Sequence, residues 1–159
     1  MPSLPADLRE DFDRYTRGPS AVREAITGLD GGAINSRVGD SWSSRDVVLH
    51  LADLEIARAF RIRLVLSVDE PLLPAWDEKV VQRRTQYLWR SPEMALATFD
   101  LMVYSTAEIL MRIDRAAWQR AGTHPDLGAL TVAELMRRGP RHVEAHVNQI
   151  KDLRAAIGR

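Results

Sequence analysis

The sequence predicts an all-α protein built as a four-helix bundle. Three observations carry that expectation. Four stretches of the 159-residue chain have helical length, helical apolar spacing and recognisable start signals. No stretch reads as a convincing strand. No segment repeats another, so a bundle is the arrangement that buries the apolar faces of four helices together. The whole chain, 1–159, is expected to form one domain.

The elements follow in order. A helical region runs from about Pro5 to Leu29, and TRGPS is expected to break it, with Pro19 restarting the helix at its first position. Gly28 to Gly32, GLDGG, stops it, and a polar loop continues to Asp40. Ser43 and Asp46 have capping-box spacing and open a long apolar helix to about Leu66. SVDEPLLPAW is a turn-rich connection leading to a short helix around Asp77 to Tyr87. Ser91, Pro92 and Glu93 start the third long helix, to about Ile113, with proline at its first position and acid in its first turn. AGTHPDLGAL reads as loop, and Thr131 with Glu134 caps a last helix running to about Ile157. The connection between the second and third long helices spans roughly 24 residues, enough to cross the bundle and let those two helices run parallel.

Composition excludes several classes of function. Apolar residues are 45% and charged residues 28%, the balance of a globular domain. Lys+Arg and Asp+Glu number 22 each, so no charge excess favours nucleic acid or an anionic membrane. No apolar run is long enough for a membrane span, and MPSLPADLRED lacks the basic and apolar segments of a signal peptide. A cytoplasmic location is expected. The chain has no cysteine, which removes disulfides, thiolate ligands and a cysteine nucleophile together. Any metal must be held by His, Asp, Glu or water.

The last helix carries the most informative pattern. At about 100° per residue, Val132, Leu135, Met136, Gly139, Val143, Val147, Ile150 and Leu153 form one stripe. His142 and His146 lie on an edge of that stripe, one turn apart, close enough to share one ion. Two readings stay open: a pair of hydrogen-bonded core imidazoles, or two ligands of a metal. The pair is not the HExxH motif, because in HVEAH the carboxylate of Glu144 lies about 200° around the helix from His142 and faces solvent. His50, flanked by Val47 and Leu54, is the best candidate for a third ligand. Asp53 could orient its imidazole, or be a plain surface charge. His124, in THPDLG, is a turn residue or a pocket lip. Tyr104 and Glu108 read more simply as core and surface than as pocket lining. Arg137, Arg138 and Arg141 form an outward basic group that on a neutral protein reads as a solvated face, with no nucleic-acid partner expected.

Taken in order, WSSRDVVLHLADLE, THPDLGALTVAEL and RHVEAHVNQI resemble the DinB/YfiT-like superfamily, from about Val22 to Leu153. The resemblance implies a four-helix bundle with a long crossover between helices two and three. It implies one divalent ion, zinc or nickel, held by three histidines, which here are His50, His142 and His146. The superfamily includes thiol-cofactor S-transferases and a mycothiol-dependent isomerase. The resemblance therefore makes a metal-dependent enzyme acting on a small molecule, with a low-molecular-weight thiol as cosubstrate, the leading expectation. Gly139-Pro140 departs from a regular helix just before His142 and should bend the axis there. The alternative is a non-catalytic helical homodimer or interaction module, with a structural metal or none. A homodimer is expected: the apolar second helix has more hydrophobic surface than one intramolecular face needs, although a central place in the core would also use it.

Overall fold

The computed structural model describes residues 4–158. Four long helices, α1 (Arg9–Ile26), α2 (Ser44–Ser67), α4 (Pro92–Leu110) and α5 (Val132–Ala156), make the bundle. A short helix, α3 (Glu78–Arg84), lies in the connection between α2 and α4. Three of the expected caps are in place. Ser43 and Asp46 make a reciprocal capping box at α2, Thr131 and Glu134 make one at α5, and Ser91 accepts from Met94 N–H at α4.

Side-chain bridges fix the helix directions. Arg45 donates to the Arg90 carbonyl just ahead of α4, and Arg63, near the end of α2, donates to Ser105 and Thr106 of α4. α2 and α4 therefore run parallel, as the long connection allows. α1 and α5 are parallel too: Arg137 meets Asp11, Arg14 meets Glu144, and Arg154 reaches the carbonyls of Ala25 and Thr27.

α2 packs against both α4 and α5. Its six consecutive residues Val47 to Ala52 are all buried, which accounts for a helix apolar nearly all round. Ile56 and Phe60 are its exposed large apolar residues.

Two local expectations are corrected. TRGPS does not break α1, which is continuous through Pro19. Phe12, Tyr15, Pro19, Val22 and Ala25 share one buried stripe, and packing of that stripe outweighs the hydrogen bond that proline removes. AGTHPDLGAL is not plain loop: β1 (Ala121–His124) and β2 (Gly128–Thr131) pair antiparallel, with Ala121 opposite Thr131. Gly128, at φ 72°, supplies the left-handed residue that a short hairpin loop needs. The crossover docks on this hairpin, with Leu73 N–H donating to the Thr123 carbonyl and Thr123 N–H to the Pro71 carbonyl, both at 2.8 Å. A Cβ at Gly122 would lie 2.8 Å from the Pro71 carbonyl oxygen and from Leu73 Cδ2, so only glycine allows this seam to close.

α5 also runs unbroken through Gly139-Pro140. Gly139 lies against the Tyr15 ring, where a Cβ would come within 3.0 Å of Tyr15 Cδ2. Every residue of the apolar stripe read from the sequence is buried.

Candidate metal centre

The three histidines converge. His50 projects from α2 into the bundle and is fully buried; His142 and His146 project from α5 opposite it. His50 Nε2 lies 2.7 Å from His142 Nε2, which lies 3.1 Å from His146 Nε2. One nitrogen from each ring fits within a 4.8 Å span. A metal with nitrogen ligands at about 2.0–2.1 Å sets its nitrogens about 3.0–3.4 Å apart, so this cluster is near the size of an ion's inner shell. Pro140 has not displaced the pair.

Hydrogen bonding points the same way. His146 Nδ1 lies 2.8 Å from Gln149 Oε1; the ring N–H donates to the amide oxygen, which leaves a lone pair on Nε2 aimed at the centre. His142 Nε2 faces two nitrogens, and a single proton on it satisfies one of them. Ordinary pairing thus leaves a lone pair buried without a donor, whereas a cation takes all three. Among the described residues, His50 Nδ1 is a buried nitrogen without a protein partner. It is the nitrogen that carries the proton when Nε2 is the ligand.

Burial keeps the rings neutral. Loss of solvation, reinforced by the neighbouring imidazoles, lowers His50 to about 3 and His142, with a further contribution from Arg58, to about 4. His146 is lowered by burial, partly offset by its bond to Gln149. All three are therefore in the ligand-competent form at neutral pH. Trp42 closes one side, edge-on to His50 at 4.9 Å between centroids and parallel to His146 at 6.2 Å.

The triad opens through His142 onto a cavity of about 550 Å³. Glu78, the first residue of α3, stands on its rim with Oε2 3.6 Å from His50 Nε2. Arg58 lines the same cavity and is held from behind by Glu55, which also accepts from the Tyr15 hydroxyl. His124 is buried in the cavity wall, its Nδ1 accepting from Asp126 N–H, and so is both turn residue and pocket residue.

Other candidates fall elsewhere. Asp53 neither orients His50 nor faces solvent. It is buried and takes a two-pronged bond from Arg90 at 2.6 and 2.7 Å. Tyr104 and Glu108 are both exposed on α4, so Tyr104 is not core, and neither lines the cavity. Glu144 is exposed, as read, and pairs with Arg14. Arg137 pairs with Asp11, while Arg138 and Arg141 turn toward the cavity.

Sequence reasoning missed Gln149, Glu78 and the Glu55–Arg58 pair. Gln149 was readable as the residue three positions after His146 on one helix face. Glu55 and Arg58 were readable as a charged pair interrupting an apolar helix. Glu78 left no signal, since the path of the crossover alone brings it in.

Comparison with known proteins agrees with this geometry. The profile of the DinB superfamily matches residues 14–150. A protein of Bacillus licheniformis named "Putative metal-dependent hydrolase" is 26% identical over 98% of this chain and 91% of its own length. YfiT of Bacillus subtilis, which carries the same description, is 22% identical over 88% of this chain and 80% of its own. The solved structure of YfiT, described as a probable metal-dependent hydrolase with an unusual four-helix bundle topology, superposes with a TM-score of 0.89 at 20% identity, covering 98% of this chain and 91% of that one. With its bundle, its crossover and its profile match in agreement, the chain belongs to the DinB superfamily.

Proposed function

We propose that the protein is a metal-dependent hydrolase of small molecules, holding one divalent ion, zinc or nickel, through His50, His142 and His146. The observation that carries this reading is the meeting of three neutral imidazoles at one point beside an open cavity. Three protein ligands leave coordination positions for reactants, as catalytic sites do. A bound ion supplies Lewis acidity toward a substrate oxygen and acidifies the nucleophile beside it.

The chain's own residues do the rest. Gln149 fixes the tautomer of His146, and Trp42 excludes water from one side of the rings. Glu78 reaches the triad from the rim, and its carboxylate is placed to accept the nucleophile's proton and return it to the leaving group. The relatives' description as metal-dependent hydrolases supports the reaction class. The size of the cavity favours a second reading, transfer to a thiol cosubstrate, because about 550 Å³ leaves room for two reactants. The chain has no cysteine, so that thiol must come from outside.

One experiment separates the two. Activated ester, amide and alkyl-halide substrates are assayed with the metal-loaded protein, with and without a panel of small thiols. Turnover in water alone that falls at least tenfold in Glu78→Gln, with metal content unchanged, supports hydrolysis. Turnover only with a thiol supports transfer. No metal-dependent turnover under either condition would refute both.

A further inference from the structure

The cavity beside the triad has an electrostatic character that the metal does not account for. Four arginines line it: Arg58 and Arg61 from α2, Arg138 and Arg141 from α5. Arg58 is neutralised by Glu55. Arg61 is only 9% exposed, yet its hydrogen bonds go to the uncharged Pro74 carbonyl. Among the described residues it makes no ion pair; Arg138 and Arg141 make no direct one either, although Glu134 and Glu144, outside the cavity lining, feel their charge. Burial lowers the Arg61 pKa, and the like charges of Arg58 and Arg138 lower it further. A nearly buried guanidinium without a counter-ion is costly. The carboxylates that do line the cavity, Glu78 and Asp126, are both exposed, and neither pairs with these arginines. Apart from His124 and His142, the remaining wall is largely apolar, with Leu54, Leu130, Leu135 and Trp76.

We infer that this cavity selects a small substrate with an apolar body and an anionic head, a carboxylate or a phosphate monoester, seated on Arg61 and Arg138. The head supplies the missing counter-charge, since the planar guanidinium fork matches either anion. The body lies along the leucines and Trp76, and the far end of the molecule reaches His142 and Glu78. This names the substrate class of the proposed enzyme and rests on that reading for the reaction, though the anion site itself does not depend on the metal.

The test titrates hexanoate, hexyl phosphate and uncharged hexanamide onto both metal-loaded and chelator-treated protein, followed by NMR chemical shifts. At least one anion should bind tenfold or more tightly than hexanamide in both forms. Arg138→Gln, on an exposed position that the fold does not need, should remove at least tenfold of that affinity and leave hexanamide binding and metal content unchanged. Arg61→Gln should do the same where it folds. Equal binding of anions and hexanamide, or anion binding indifferent to Arg138→Gln, overturns the inference. So does anion binding that vanishes with the metal, because the anion is then a metal ligand. If the protein takes up no metal, the chelator-treated arm still decides the anion site, and the two proposals fail separately.

Discussion

Mild acid should weaken the metal-free protein through its buried histidines. In the unfolded chain the histidines take up protons near pH 6.5, whereas folding holds His50 down to about 3 and His142 to about 4. Between those limits the unfolded state binds more protons, so stability rises with pH across the window and is lost as pH falls through it. At pH 5 the difference amounts to about 2 kcal/mol for His50, and somewhat less for His142, which opens on the cavity. The sum is about 3 kcal/mol relative to pH 7, a large share of the roughly 5–15 kcal/mol that holds a domain together. His146 and His124 are shifted in the same direction and add to it. The carboxylates held below their ordinary range, Glu93, Glu134 and Glu144, lose their contribution only at lower pH and leave this window clear. Urea unfolding of chelator-treated protein by circular dichroism should show the midpoint fall by about 1.5 M from pH 7 to pH 5, for a slope of about 2 kcal/mol per M. His50→Leu should shrink that fall. A midpoint that holds steady or rises would refute the picture of three desolvated neutral rings.

Further consequences can be checked singly. Gln149→Leu removes the acceptor of the His146 ring proton and should weaken metal affinity about 10- to 100-fold, read by competition with a chromophoric chelator, with the helical spectrum unchanged. Asp53→Ala strips the counter-charge from Arg90 and should cost about 1–3 kcal/mol in urea unfolding while leaving metal affinity intact, which distinguishes a fold-holding role from the support of His50. Gly139→Ala sets a methyl against the Tyr15 ring at 3.0 Å and should cost about 1–3 kcal/mol in the same assay.

What the sequence made legible was whatever periodicity and capping encode. The stripe of α5 fixed the phase of His142 and His146, and the caps at Ser43, Ser91 and Thr131 located three helix starts. Proline misled at position 19, because its local cost is visible in the chain and the packing of the stripe around it is not. The hairpin escaped because its four-residue strands owe their pairing to each other and to the crossover, with Gly122 marking the close approach. Asp53 was misplaced for a similar reason: its partner Arg90 lies 37 positions away, across the crossover. Glu78 and the cavity arginines Arg61 and Arg138 became a site only when the crossover and the start of α5 came together. Long-range pairing of this kind leaves no spacing to read.

The most direct test of the three-histidine metal centre is the metal content of protein purified without an affinity tag, reconstituted with zinc or nickel and measured by elemental analysis beside His146→Ala. Close to one equivalent is expected in the parent protein, and its loss in a variant whose helical spectrum is preserved. Less than about a tenth of an equivalent in the parent, or full occupancy in the variant, would contradict it.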